Sequence, residues 1–451
     1  MASNDNKSKL HLGSFDSERF WRAPTLSQLP SVVDAQADAI VAVMDELMFA
    51  ACHAEGGLLV TRRPMDKTHV DYLRETGFRF SRNEKPVETV ETISGNDAIC
   101  GLLQAAGNRA YFSELFSGLG GLSPYSVLPT TQPFCQHYGI AQKIPSIEAV
   151  RKANSKLFSH ALEIEELGER HGETIDSAAE LEKVGKHLLK NTTILIKDDF
   201  GVSGKGNLLV DSPQLLERIS RHIGKQEKNG KQTRFLLEPL LDKALDFSCQ
   251  LEIGATGEVT IISVQKMVNA GFAFAAIQTA EPMFMEGLDK AGYLDKMLTV
   301  AAGLYREGYF GPVCIDSMLL KDGSIRSVVE INARQSMGFI NHHIDRFLEP
   351  FSAQGSLLFF SLGLTKPVSF DEILHTMREE AILFKPDRPE GILPLSSHTL
   401  SVNRKTQTNS DTPYKGRFYA SLVATDPLAR LGLKEKMEQV FAKLGIRVFT
   451  Q

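Results

Sequence analysis

Two carboxylates and an amide on adjoining strands are the residues whose types and spacing point first to shared chemistry. Over 311–338, GPVCIDSMLLKDGSIRSVVEINARQSMG, Asp-Gly between runs of alternating apolar residues predicts a hairpin. Strand side chains alternate, so Val328, Glu330 and Asn332 share one face of the second strand and Val329 and Ile331 the other. On the first strand Cys314, Asp316 and Met318 share a face. With Asp322-Gly323-Ser324 as a three-residue loop, Lys321 lies opposite Ile325 and Asp316 opposite Glu330, which sets an Asp, a Glu and an Asn side by side. All-oxygen ligands with incomplete protein coordination suit Mg²⁺, which keeps waters and takes further ligands from phosphates. A two-residue loop would put Asp316 opposite Val329 instead, and a sheet-edge hairpin with solvated polar residues is the plainer alternative.

The loop DDFGVSGKGN, residues 198–207, carries Gly201, Gly204 and Gly206 with Ser203 and Lys205, directly after a β-rich run ending in Lys197. Glycines let backbone N–H groups turn toward a phosphate, and the lysines supply opposing charge. The order is neither a Walker A loop, because Gly206 follows the Gly-Lys pair, nor the Rossmann pattern, and a plain hairpin remains open. Lys156 stands near the start of a helical stretch in which Val150, Ala153, Leu157, Ala161 and Ile164 keep helical spacing; most lysines on such helices are solvated.

These groups must be positioned by a large α/β framework. At 451 residues and 42% hydrophobic, the chain is long enough for two or three domains. Residues 1–30 are polar and interrupted by Pro24 and Pro30, and predict a flexible arm with a docking turn at Phe20-Trp21. From Ser31 a helical run, VVDAQADAIVAVMDELMFAAC, gives way to the strand LLVTRRP, the helix HVDYLRETGF, a helical NDAICGLLQAAG and a strand at SPYSVLP, which predicts a small parallel-sheet domain over 31–145. Residues 146–350 hold the helix with Lys156, the helix SAAELEKVGKHLLK, the strands TTILIK, RFLLEPLL, FSCQLEI and VTIISVQKMVN, and the acidic hairpin. From 351 to 451 a helix-like SAQGSLLFFSLGL, a helix FDEILHTMREEAILFKP and a final strand-then-helix predict a C-terminal cap that either completes the core or borders an acceptor site.

Composition excludes several classes. The net charge of −5 comes from 50 basic and 55 acidic residues spread along the chain, which favours neither nucleic acid nor an anionic membrane as partner. Five scattered cysteines offer no disulfide framework and no Cys-x-x-Cys metal site. No stretch approaches the roughly 18 apolar residues of a membrane span, and MASNDNKSKL lacks the apolar core of a signal peptide, so the sequence predicts a cytoplasmic protein. Twelve scattered histidines suggest no Ser/His/Asp or Cys/His set.

Taken together and in order, NSK, ILIKDDFGVSGKGN, FLLEPLLDKALDFS, GPVCIDSML and VVEINARQSMG resemble the ATP-grasp superfamily of carboxylate–amine ligases over about 145–345. The resemblance implies an α/β (α+β) ATP-grasp fold at 146–350, a lid subdomain at about 185–240, a pre-ATP-grasp domain at 31–145 and a C-terminal cap. It also implies that Lys156 and Lys197 contact ATP phosphates and that Gly201, Ser203, Gly204 and Gly206 belong to a lid over them. Leu237-Glu238-Pro239-Leu240 would hold adenine, with Asp246 where many members have a glutamate for the ribose. Asp316, Glu330 and Asn332 fall on the family's metal positions for Mg²⁺, or Mn²⁺ in its place. Arg334 matches an arginine facing the γ-phosphate or activated carboxylate, and Lys266 is a further candidate for that charge cluster. The implied reaction passes the γ-phosphoryl group to a small-molecule carboxylate, giving an acyl phosphate that an amine attacks, with ADP and phosphate released. A thiol or hydroxyl acceptor, a phosphotransferase, or a nucleotide-binding module without turnover are the alternatives, and paired subunits are an expectation of the family.

Overall fold

The computed structural model describes residues 8–89, 98–201, 206–270, 273–406 and 412–449, whose strands fall into three sheets. The first is parallel: β1 (Lys9–Leu12), β2 (Leu58–Val60), β3 (Ser81–Arg82) and β4 (Gly121–Pro124), in the order β3-β2-β1-β4. β1 lies inside this sheet, which corrects the flexible-arm reading for residues 8–30; residues 1–7 lie outside the described residues. Leu10 and Leu12 are buried between flanking strands, and Trp21 is buried behind them in the chain. Four residues with two inward leucines are too short a pattern to stand out from a polar run; pairing on both edges makes the strand. Gly13 ends it where a Cβ would lie 2.7 Å from the Asp45 Cα, so the turn after β1 packs against backbone that a side chain would displace.

The helical run from Ser31 forms but is broken into a helix at Ala35–Ala42, a 3₁₀ turn at Met44–Met48 and a helix at Phe49–Glu55, closed by Gly56 at φ 68°. The helix Lys67–Thr76 follows, with Asp66 capping its first turn and Gly77 ending it.

The second sheet is antiparallel: β5 (Glu173–Ile175), β6 (Ile194–Asp198), β7 (Asn207–Val210) and β8 (Phe235–Pro239), in the order β5-β8-β6-β7. Helices Ala178–Leu188 and Pro213–Lys228 cover it, and Ile175, Leu181, Ile194, Ile196, Leu216 and Phe235 form its own core. The sheet begins at β5, some way before the expected lid boundary at 185. Leu29 belongs to this core, Leu26 bridges Gln232, and Arg22 pairs with Asp198, so the N-terminal segment ties the second sheet to the first domain.

The third sheet has nine strands among the described residues: β9 (Lys243–Ile253), β10 (Val259–Ala270), β11 (Ala273–Thr279), β12 (Gly311–Leu320), β13 (Ile325–Asn332), β14 (Gly355–Leu364), β15 (Gly391–Pro394), β16 (Tyr414–Val423) and β17 (Arg447–Phe449). Its order is β13-β12-β9-β10-β11-β14-β16-β15, with β17 on β14. SAQGSLLFFSLGL, expected as helix, is largely β14; a continuous apolar run of this kind has no period that separates a strand covered on both faces from a buried helix. Pairing of β14 with β11 also removes the expected boundary at 350, because the C-terminal strands continue the sheet that carries the acidic hairpin. One core joins Phe49 and Leu73 of the first domain to Ile344, Leu357, Phe370 and Phe418. All five cysteines are buried and none is in a disulfide, and among the described residues no helix is long and apolar enough to cross a membrane.

Candidate active site

The hairpin β12–β13 places Asp316 opposite Glu330 and Cys314 opposite Asn332. The predicted pairing is therefore present, but by a different route. The tight turn holds Lys321-Asp322-Gly323, with the Leu320 N–H donating to the Ser324 carbonyl at 2.9 Å, one residue earlier than expected. Met318 then faces Arg326, and a bulge between Asp316 and Met318 brings Asp316 back to Glu330. The bulge also changes faces: Val328 enters the core with Ile331, while Arg326, Val329, Glu330 and Asn332 line a cavity of about 420 Å³.

Burial, and then the neighbouring Glu330 carboxylate, push the Asp316 carboxyl up to about 7. The Asn332 amide donates to Asp316 Oδ2 at 3.0 Å while its own oxygen accepts from Arg334 Nη2 at 3.0 Å. Two carboxylates and an amide in a buried corner form a hard oxygen set whose mutual repulsion a divalent cation relieves. The donor set thus fits Mg²⁺ or Mn²⁺.

The helical stretch after Pro145 is broken at Asn154 into helices Ile147–Ala153 and Lys156–Leu167. The break has a cause: the Asn154 side chain accepts from the Ala333 N–H and donates to the Val150 and Ala333 carbonyls, and Ser155 caps the second helix. Lys156 consequently opens a helix against β13, buried, with Nζ 2.7 Å from Glu330 Oε1 and 2.6 Å from the Gly201 carbonyl. Gly206, at φ 95°, closes the neck of the glycine loop; a Cβ there would lie 3.1 Å from the Gly201 Cα. Ser203 and Gly204 lie outside the described residues.

Lys197 on β6 pairs with Glu238 on β8 at 2.6 Å, and Arg326 grips the same Glu238 through both carboxylate oxygens at 3.0 and 2.5 Å. Burial acts to raise the Glu238 carboxyl, but Lys197 and Arg326 outweigh it and hold it down at about 2. Lys197, sharing one carboxylate with Arg326, is pulled below the usual lysine range by burial, with Glu238 opposing. Glu238 is therefore an internal tie between the second and third sheets, and Pro239 and Leu240 form the cavity wall beside it. Asp246 lines the cavity and pairs with Lys243 at 2.5 Å.

Arg334 is buried and donates through Nη2 and Nε to Glu18 Oε1 at 2.7 and 3.0 Å, with the Tyr125 hydroxyl at 3.5 Å and the Tyr125 ring 5.7 Å from its guanidinium carbon. Burial opposes its charge, and Glu18 more than restores it, so its pKa is raised. Lys266 is not brought to this cluster. Met267 lines the cavity, whereas Lys266, next to it on β10, pairs with Glu281 at 2.7 Å over the Phe284 ring. Strand alternation explains the correction.

Sequence reasoning did not find Glu18, Tyr125, Arg326 or Arg417, all of which hold or line the cavity. Tyr125 in an irregular segment and Glu18 in a one-turn helix carry no periodic signal, whereas Arg326 lay within the hairpin already singled out and Arg417 stands on β16. Elsewhere, Glu163, Glu169 and His171 cluster as a metal site would. Lys296 already pairs with Glu169 at 2.6 Å, and the Arg326 Nε lies 3.9 Å from Glu163, so these acids have cationic partners within the protein.

No known family matches the sequence, and no curated protein sequence matches it. Solved structures do match. An N5-carboxyaminoimidazole ribonucleotide synthetase in complex with ADP superposes with a TM-score of 0.55 at 10% identity, covering 97% of each chain. A biotin carboxylase β,γ-ATP complex from Campylobacter jejuni gives 0.55 at 12% identity, covering 99% of this chain and 93% of the other. The chain has the ATP-grasp fold. An L-amino acid ligase from Bacillus licheniformis has it too, with a TM-score of 0.51 at 13% identity over 99% of this chain and all of that one. In this ATP-grasp fold the segments that follow β1 and β4, the helix Ala35–Ala42, the second antiparallel sheet and the long third sheet line the cavity between them.

Proposed function

We propose that this chain is an ATP- and Mg²⁺-dependent ligase that joins a small-molecule carboxylate, an amino acid or short peptide, to an amine and releases ADP and phosphate. The observation that carries the reading is the Asp316–Glu330 pair in the β12–β13 ladder, with Lys156 against Glu330 and Arg334 against Asn332. The L-amino acid ligase neighbour supports the substrate class.

Asp316, Glu330 and Asn332 would hold Mg²⁺, with Mn²⁺ able to replace it, and the bound ion supplies neutralisation of phosphate charge. Lys156 and Lys197 add positive charge beside the same region and orient the γ-phosphoryl group. Pro239 and Leu240 offer the wall for adenine and Asp246 the acid for ribose. Glu238, tied to Lys197 and Arg326, fixes that wall rather than meeting the base itself. A carboxylate is a poor electrophile for an amine, and phosphorylation converts it into an acyl phosphate with a good leaving group. Arg334, held charged by Glu18, stabilises the oxyanion that forms when the amine attacks. Enclosure by the second sheet keeps water from the acyl phosphate.

Incubation with Mg-ATP, pooled amino acids and short peptides, followed by mass spectrometry, tests the reading. ADP, phosphate and a new mass equal to two components less water are expected; AMP and pyrophosphate would overturn it.

A further inference from the structure

The end of the cavity away from Asp316 is built from C-terminal strands, the helix Ala35–Ala42 and the 3₁₀ turn behind it. Val41, Met44, Ile277, Phe359 and Tyr419 give it an apolar wall, and Arg417 on β16 lies among them. Arg417 differs from the other arginines of the cavity. Arg326 and Arg334 each meet a carboxylate within the protein, whereas among the described residues Arg417 forms no ion pair. Its guanidinium carbon sits 4.6 Å from the Phe359 ring centre and its Nη1 donates to the Tyr419 hydroxyl at 3.2 Å. The same hydroxyl contacts the Met44 sulfur at 3.2 Å, which fixes its position. A guanidinium has five N–H donors in a fork matched to a carboxylate, and stacking on one ring and one hydroxyl leaves most of them available.

We propose that Arg417 anchors a substrate carboxylate that the reaction leaves untouched, so that the acceptor is an apolar amino acid or short peptide held by its own carboxylate. The proposal deepens the ligase reading and rests on it. Two observations separate this group from the reacting one. From β12, which carries Asp316, to β16 the sheet runs through β9, β10, β11 and β14. Arg417 thus stands at the other end of the cavity from Asp316, on a strand that takes no part in the acidic hairpin. Val41, Met44, Ile277 and Phe359 beside Arg417 suit an apolar side chain, with the carboxylate on Arg417 and the amine, carried on the same carbon, turned toward the Arg334 end of the cavity. A single arginine against an aromatic ring also matches one planar, singly charged group better than a phosphate.

Equilibrium binding of L-phenylalanine and L-phenylalaninamide, in the presence of Mg²⁺ and a non-hydrolysable ATP analogue, tests the assignment, since the two probes share body and amine and differ in the carboxylate. The wild-type protein is expected to bind phenylalanine at least tenfold more tightly than the amide. Arg417→Gln should bring the two within twofold, with the loss confined to phenylalanine, and Arg417→Lys should fall between. Thermal melting reports folding, and if Arg417→Gln does not fold the Arg417→Lys variant decides. A wild-type protein that binds neither probe or does not distinguish them, or an Arg417→Gln variant that keeps the tenfold preference, overturns the Arg417 assignment. Failure of the nucleotide analogue itself to bind overturns the ligase reading instead.

Discussion

At the β12–β13 end of the cavity, charges answer charges: Lys156 meets Glu330, Lys197 and Arg326 share Glu238, and Glu18 meets Arg334. At the β14–β16 end, Arg417 meets an aromatic ring and a hydroxyl. On the proposed reading, the difference separates two tasks. Groups that must stabilise changing charge are most effective when held in place before the reaction, and buried ion pairs supply that rigidity. An end that must choose among partners keeps its charge for the partner. Asp316 is the exception at the charged end, since burial and Glu330 raise it and its contacts there are an amide and a thiol rather than a cation.

Breaking the charged end should produce the largest effects. Glu330→Gln, nearly isosteric but one charge poorer beside Asp316 and Lys156, is expected to lower the rate of ADP formation at least about 100-fold with little change in melting temperature. Steady-state kinetics checks this, and near-normal turnover would sink the metal assignment. Glu18→Ala leaves the buried Arg334 guanidinium without its carboxylate, and removal of one partner of such a pair costs about 3 kcal/mol. Urea denaturation should show that loss; an unchanged midpoint would mean that Arg334 finds another partner. Glu238 gives a pH signature of similar size. Its carboxyl is held at about 2, below the ordinary 4.5, so its contribution is complete above 4.5 and is lost as pH falls through that window toward 2. The full loss is about 3 kcal/mol. Denaturation midpoints between pH 5 and pH 3 should fall more steeply for the wild type than for Glu238→Gln. The smallest effect belongs to Lys266. Because its partner is Glu281 on the other side of β10, Lys266→Ala should alter the rate by less than twofold, and a large loss would return it to the charge cluster.

The same contrast explains what the sequence made legible. The charged end is carried by segments with strong local patterns: an Asp-Gly hairpin, a strand ending in Lys197, and the Leu-Glu-Pro-Leu run. Even there the Asp316–Glu330 pairing arises because a bulge compensates for a turn placed one residue early, and periodicity has no means of showing a bulge. Glu18 lay in a stretch read as a flexible arm, because its order comes from β1 pairing on both edges and from Leu26 and Leu29 docking on the second sheet. Arg417 was passed over for a related reason. β14 is an apolar run, and β16 is brought to the cavity only because β14 pairs with β11, a contact between residues far apart in the chain.

The central claim, that this cavity phosphorylates a carboxylate before an amine attacks it, is tested most directly by ³¹P NMR of a reaction run with Mg-ATP and amino acids labelled with ¹⁸O in their carboxyl groups. An acyl phosphate retains one carboxylate oxygen in its bridge, so the released inorganic phosphate should carry a single ¹⁸O and show the corresponding upfield isotope shift. Label appearing in AMP, or phosphate free of label while the amide product accumulates, would contradict it.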